Sequence, residues 1–135
     1  MTRQYANGTT GSRGRGTVVA DDPAGRHELT GCLARARYET ISVGSGDVGP
    51  GSWALPSDVA ILDFGSCADH QHTIPGRLRR HDAPVIALVE AGCMDSVVRA
   101  LEMGVEDVLT KPVDKHELTA AVQRVVERAY AKEVL

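Results

Sequence analysis

The stretch Asp58-Val59-Ala60-Ile61-Leu62-Asp63 limits the fold of this chain more than any other. It has the length of a strand, is almost wholly apolar, and closes on a carboxylate. An apolar run this short, with turn residues on both sides, reads as a strand buried on both faces. Such strands belong to parallel sheets covered by helices. Open α/β sheets place their ligand crevice outside the carboxyl ends of the strands. Asp63 therefore stands where a ligand would bind, and a carboxylate there is costly unless a cation or a proton compensates it.

The rest of the chain repeats the pattern. Thr17-Val18-Val19-Ala20 is a first strand, followed at once by Asp21-Asp22-Pro23. Leu29, Cys32, Leu33 and Ala36 then recur at spacings of three and four, the stripe of an amphipathic helix, with Pro23 suited to its first turn. Tyr38 to Val43 reads as a second strand and Pro84 to Val89 as a fourth. The helix after it carries Val97, Val98, Leu101 and Met103 and closes at Gly104, where a left-handed residue is wanted. Asp107 to Thr110 is a short fifth strand, ended by Lys111-Pro112. The last helix opens on a capping-box-like Asp114 and Glu117. It buries a stripe of Leu118, Val122, Val125, Val126 and Ala129.

Strand and helix thus alternate five times, which implies a parallel sheet with helices on both faces. One crossover is poor. Residues 44–57 hold four glycines and two prolines, leaving room for a loop with one turn near Trp53 rather than a full helix. Pro75 opens a short helix through Leu78 to Arg80. Residues 1–16 contain almost nothing to bury and read as a disordered leader before a domain at 17–132.

Composition sets the remaining bounds. The chain has 135 residues, enough for one domain with a proper core. Its net charge of -3 gives no global attraction to nucleic acid. No apolar run approaches the length of a bilayer span, and no signal peptide is evident, so a cytoplasmic location is expected. Cys32, Cys67 and Cys93 form no CxxC pair and read as reduced thiols. Cys67, Asp69, His70 and His72 lie close enough together to ligate a transition metal, but without a scaffold they read as a solvated loop.

Three strands end in charge: the first at Asp21-Asp22, the third at Asp63, the fifth at Lys111. In a parallel sheet those ends share one rim. Aspartates often merely terminate strands, but their joint placement suggests more. Clustered carboxylates repel one another, and a hard divalent cation such as Mg²⁺ relieves the repulsion while keeping some of its waters. Lys111 adds a point charge that can hold an anion beside the metal. A metal and an ammonium around a free carboxylate describe a phosphoryl-acceptor site, with Asp63 attacking phosphorus in line.

These residues resemble the receiver domain of two-component response regulators from about Thr17 to Tyr130. The matching features are the acidic pair before Pro23, Asp58 to Asp63, Pro84 to Leu88, and above all Gly104-Val105-Glu106-Asp107-Val108-Leu109-Thr110-Lys111-Pro112. The resemblance implies a flavodoxin-like (CheY-like) doubly wound sheet of order 2-1-3-4-5, here with its second helix short or missing. It implies a signalling module rather than an enzyme, taking a phosphoryl group from a histidine kinase or phosphotransfer protein onto Asp63 with Mg²⁺. Lys111 would bind the phosphate. Asp21, Asp22, Asp63 and the backbone carbonyl of Gly65 would hold the metal, and the Lys111-Pro112 bond would be cis. The face of fourth helix, fifth strand and fifth helix would be open to homodimer formation. Neither nucleic acid nor membrane is an expected partner of the domain.

The chain departs from the family pattern at several points. The acidic pair is Asp21 and Asp22 if strands are matched, or Ala20 and Asp21 if the match runs ungapped from Pro23. The family's hydroxyl residue ending the fourth strand is Val89, which cannot donate a hydrogen bond. Its switch aromatic on the fifth strand is Val108. Glu90 can reach the rim and would add negative charge where a phosphoryl group must sit. Two readings follow: an atypical phospho-receiver, or a pseudo-receiver that acts as a phosphorylation-independent interaction module. A different enzyme on this fold is disfavoured. Asp21-Asp22-Pro23 is not a flavodoxin phosphate loop, and Gly65 stands where a haloacid-dehalogenase phosphatase needs its second aspartate.

Overall fold

Val59 and Ile61 face one side of the sheet, Ala60 and Leu62 the other, and all four are buried. This two-sided burial is why the strand carries no alternation of polar and apolar residues. The computed structural model describes residues 13–44, 57–64 and 83–134. Within them run β1 (Gly14–Val19), α1 (Pro23–Arg35), β2 (Tyr38–Val43), β3 (Val59–Asp63), β4 (Val85–Glu90), α2 (Met94–Glu102), β5 (Asp107–Lys111) and α3 (Lys115–Val134). The strands form one sheet, all neighbours parallel, in the order β2-β1-β3-β4-β5.

Each face has its own core. Leu29, Cys32 and Leu33 of α1 and Leu118, Ala121, Val122 and Val125 of α3 pack on Val18, Ile61, Ile86, Leu88 and Leu109. On the other face Val97 and Ala100 of α2 pack with Val19, Leu62, Phe64, Ala87 and Val89. The order of the strands puts the C-terminal ends of β1, β3, β4 and β5 side by side.

Several strand ends differ from expectation. β1 starts at Gly14, so Gly14 to Gly16 belong to the sheet and not to the leader; they pair with Tyr38, Glu39 and Thr40 of β2. Composition hid this because a glycine looks unpackable. Gly16 is buried beneath Leu33, whose Cδ1 would lie 2.8 Å from a Cβ at this position. The fourth and fifth strands each run one residue further than predicted, to Glu90 and Lys111.

Gly104 closes α2 with φ +87, the left-handed conformation expected for it, and the Lys111-Pro112 bond is cis. Cys32 is free and buried, whereas Cys93 is disulfide-bonded, contrary to the expectation of reduced thiols. The predicted leader up to residue 12, the 44–57 loop apart from its ends, the helix at Pro75, and Trp53, Gly65, Cys67, Asp69, His70 and His72 lie outside the described residues. No described helix is long and apolar enough to cross a membrane.

Candidate phosphoacceptor site

Asp63 is the last residue of β3 and Lys111 the last of β5, with β4 between them. The lysine reaches across that intervening strand. Its Nζ donates to Asp63 Oδ1 at 2.7 Å. The Lys111 side chain is 29% exposed and that of Asp63 14%. Both charges are thus partly withdrawn from water, where a charge-assisted contact of this length is stronger than its surface equivalent.

Register explains the meeting. Asp63 pairs with Leu88, and Glu90 pairs with Lys111. Residues two apart on a strand share a face, as do directly paired residues on neighbouring strands. Asp63, Leu88, Glu90 and Lys111 therefore leave the sheet on one side, the side of α1 and α3. Val89 leaves on the other. It is wholly buried in the α2-side cluster, against which Val108 packs half-buried. The two altered switch positions thus share one apolar layer on the α2 side of the sheet.

The acidic pair divides by role. Ala20 is 1% exposed and belongs to the core on the α1 side. Asp21 is exposed in the turn beyond β1, the strand adjacent to β3. Asp22 is the N-cap of α1: its Oδ2 accepts the Gly25 backbone N–H at 3.0 Å. That use of Asp22 was missed in the sequence, although Asp followed by Pro at the first helical position is the signal for it. Among the described residues no three His, Cys, Asp or Glu side chains cluster as a metal cage. A site of two carboxylates, a backbone carbonyl and waters needs no such cage. It suits Mg²⁺, which keeps several waters, better than a metal needing a full protein cage.

β5 and the residue before it are tied to α3 by two further ion pairs, Arg124 to Asp107 at 2.5 Å and Arg128 to Glu106 at 3.8 Å. Neither pair is legible in the sequence. Beside them α2 exposes Met94, Val98 and Leu101, at 69%, 46% and 59%. Those positions are four and three residues apart and so make one stripe.

The model of the response regulator receiver domain matches residues 17–123, and the chain belongs to that family. It is 40% identical over 69 residues to the flagellar transcriptional regulator FtcR of Brucella abortus, a match covering 50% of this chain and 30% of FtcR. It is 29% identical over 116 residues to the DNA-binding dual master transcriptional regulator RpaA of Synechocystis, covering 82% of this chain and 48% of RpaA. The chain therefore spans less than half the length of these curated relatives. Among solved structures, NtrX from Brucella abortus superposes with a TM-score of 0.70 at 23% identity, covering 88% of this chain and 28% of NtrX. That likeness shows the fold.

Proposed function

We propose that this domain accepts a phosphoryl group on Asp63 in a two-component phosphorelay. The observation that carries the reading is the 2.7 Å contact of Lys111 Nζ with Asp63 Oδ1 at the carboxyl rim of a receiver-type sheet. An Asp63 oxygen attacks phosphorus. The new O–P bond forms as the N–P bond of a phosphohistidine donor breaks, and the electron pair stays on the imidazole nitrogen, which takes up a proton. The Lys111 ammonium then follows the charge from the carboxylate to a phosphoryl oxygen. Asp21, Asp63 and the Gly65 carbonyl would hold Mg²⁺, with Asp22 kept for the helix cap. When bound, the ion supplies positive charge against the phosphoryl oxygens. The domain itself is a substrate of the transfer and a signalling module, not an enzyme. We place it in the cytoplasm, where a disulfide such as that at Cys93 is usually transient.

The stripe of Met94, Val98 and Leu101 favours a second copy of the chain as partner for the face built by α2, β5 and α3. A two-fold axis through the stripe would bury it against its own copy.

A second reading has its own support. With Val89 and Val108 both apolar, no hydroxyl at Val89 can pull on the phosphoryl group and pass the change on. A group that makes no different contacts in two states shifts nothing between them. A pseudo-receiver would be recognised through its surface alone. Calorimetry with beryllofluoride separates the two: a phospho-receiver binds it in a Mg²⁺-dependent manner that Asp63→Asn abolishes, and a pseudo-receiver does not bind it.

A further inference from the structure

β4 ends at Glu90, the residue paired with Lys111, and the chain turns at once. Gly92 takes φ +81, and the Cys93 backbone N–H donates to the Glu90 carbonyl at 3.1 Å. That turn closes the end of β4 and leads into α2, whose N-cap is Cys93. Cys93 is 4% exposed and disulfide-bonded. Its Sγ lies 3.1 Å from Ser96 Oγ, on a residue that is itself buried. The chain holds three cysteines, Cys32, Cys67 and Cys93. Cys32 is free, so elimination leaves Cys67 as the partner of Cys93 within one chain. In sequence Cys67 follows Asp63 closely, with Gly65 between them. Ahead of Gly65, Phe64 is 1% exposed and its backbone N–H donates to the Leu88 carbonyl at 2.9 Å.

We propose that Cys93 is a redox-modification site whose bond to Cys67 sets the Mg²⁺ affinity of the rim. The proposal rests on the reading of Asp63 as a Mg²⁺-dependent phosphoacceptor and adds a regulator to it. The Gly65 carbonyl, assigned above to the metal, stands in sequence between two anchors. One is the Phe64 hydrogen bond and the other is the disulfide. A ligand tethered on both sides loses less freedom when a cation takes it up, so the oxidised chain binds the ion more tightly. Reduction removes one anchor. The reductant is a dithiol. Its thiolate attacks the Cys67 sulfur, the S–S bond breaks, and the Cys93 sulfur leaves as a thiolate that takes up a proton. The second thiolate of the reductant then attacks the mixed disulfide. This frees Cys67 as a thiol and leaves the reductant as its own disulfide. Cys93 suits the leaving role, because the N-terminus of α2 and the Ser96 hydroxyl both favour a thiolate there. Glutathione disulfide reverses the exchange and is released as two glutathione thiols. A bond that forms and breaks in this way is of the transient kind that a reducing compartment allows.

The test reads thiols and Mg²⁺ affinity in the full chain, after glutathione disulfide and after dithiothreitol. Samples are denatured, alkylated and weighed by mass spectrometry. The oxidised chain is expected to carry one alkyl group, on Cys32, with Cys67 and Cys93 in one cross-linked peptide. The reduced chain is expected to carry three. Calorimetry on the folded chain is expected to show Mg²⁺ binding about threefold weaker after reduction. Cys93→Ser keeps a good N-cap residue and is expected to show the reduced-state affinity under both treatments. Three alkyl groups after glutathione disulfide, a bond formed only between two chains, or equal Mg²⁺ affinity in the two states overturns the proposal. So does a Cys93→Ser chain whose affinity still falls on reduction. Mg²⁺ binding to neither state overturns the metal-site reading, and this coupling with it. Equal affinities with an Asp63 adduct still formed overturn the coupling alone and leave the phosphoacceptor reading in place.

Discussion

The carboxylate of Asp22 accepts the backbone N–H of Gly25 at 3.0 Å and so closes the first turn of α1. Its neighbour Asp21 remains at the rim of the sheet. Two adjacent aspartates that look alike in sequence therefore differ in place, one capping a helix and the other exposed in the turn beyond β1.

Substitution separates these roles. Asp22→Ala is expected to cost about 1 kcal/mol of stability through loss of the cap, with Mg²⁺ binding retained. Asp21→Asn is expected to leave stability within about 0.5 kcal/mol and to weaken Mg²⁺ binding tenfold or more. Denaturant unfolding and calorimetric Mg²⁺ titration of both variants check this. A large loss of Mg²⁺ affinity in Asp22→Ala would return that residue to the metal site.

Restoring the hydroxyl at the end of β4 probes the altered switch. Val89 is wholly buried, so Val89→Thr is expected to cost about 1 kcal/mol for a poorly satisfied polar atom. Where the hydroxyl reaches a phosphoryl oxygen it makes a charge-assisted hydrogen bond, worth about tenfold in rate. Faster adduct formation from acetyl phosphate in a less stable variant is the expected pairing. Loss of stability without any gain in rate would show that the β4 terminus does not face the phosphoryl group.

Much of this architecture was legible in the sequence because parallel strands buried on both faces have few alternatives. The run from Asp58 to Asp63 announced the sheet, and the match around Lys111-Pro112 announced the family. Strand ends were harder to read. Gly14 to Gly16 carry no apolar signal, and their place in β1 depends on pairing with β2 and on Leu33 closing over Gly16. Asp63 and Lys111 could be assigned to one rim from the sequence. That the lysine bridges β4 to reach the carboxylate is a matter of register, which no single segment encodes. The cap made by Asp22 was missed for a related reason: a carboxylate before a helix has two uses, and the sequence alone does not tell them apart.

Self-association through α2 is tested by charge. Val98→Glu puts an anion in the middle of the stripe of Met94, Val98 and Leu101. Because Val98 is already 46% exposed, stability should change by less than about 1 kcal/mol. Sedimentation is expected to show wild-type protein with Mg²⁺ and beryllofluoride moving toward a dimer, and the variant staying monomeric. Equal behaviour of the two would take the interface elsewhere.

Gly104 supplies a check on the fold that is independent of the site. It ends α2 at φ +87 with nothing within 4 Å of a Cβ, so Gly104→Ala has space but the wrong backbone. It is expected to cost about 1–2 kcal/mol by thermal or denaturant unfolding, with Gly104→Asn less damaging.

The central claim is that Asp63 takes a phosphoryl group in a pocket shared with Lys111. Intact-protein mass spectrometry after incubation with acetyl phosphate tests it most directly, with and without Mg²⁺, in wild type and in Asp63→Asn. The account predicts one added phosphoryl group on the wild-type chain, only when Mg²⁺ is present, and none on the variant. An unmodified wild-type chain, or an adduct that survives Asp63→Asn, would contradict it.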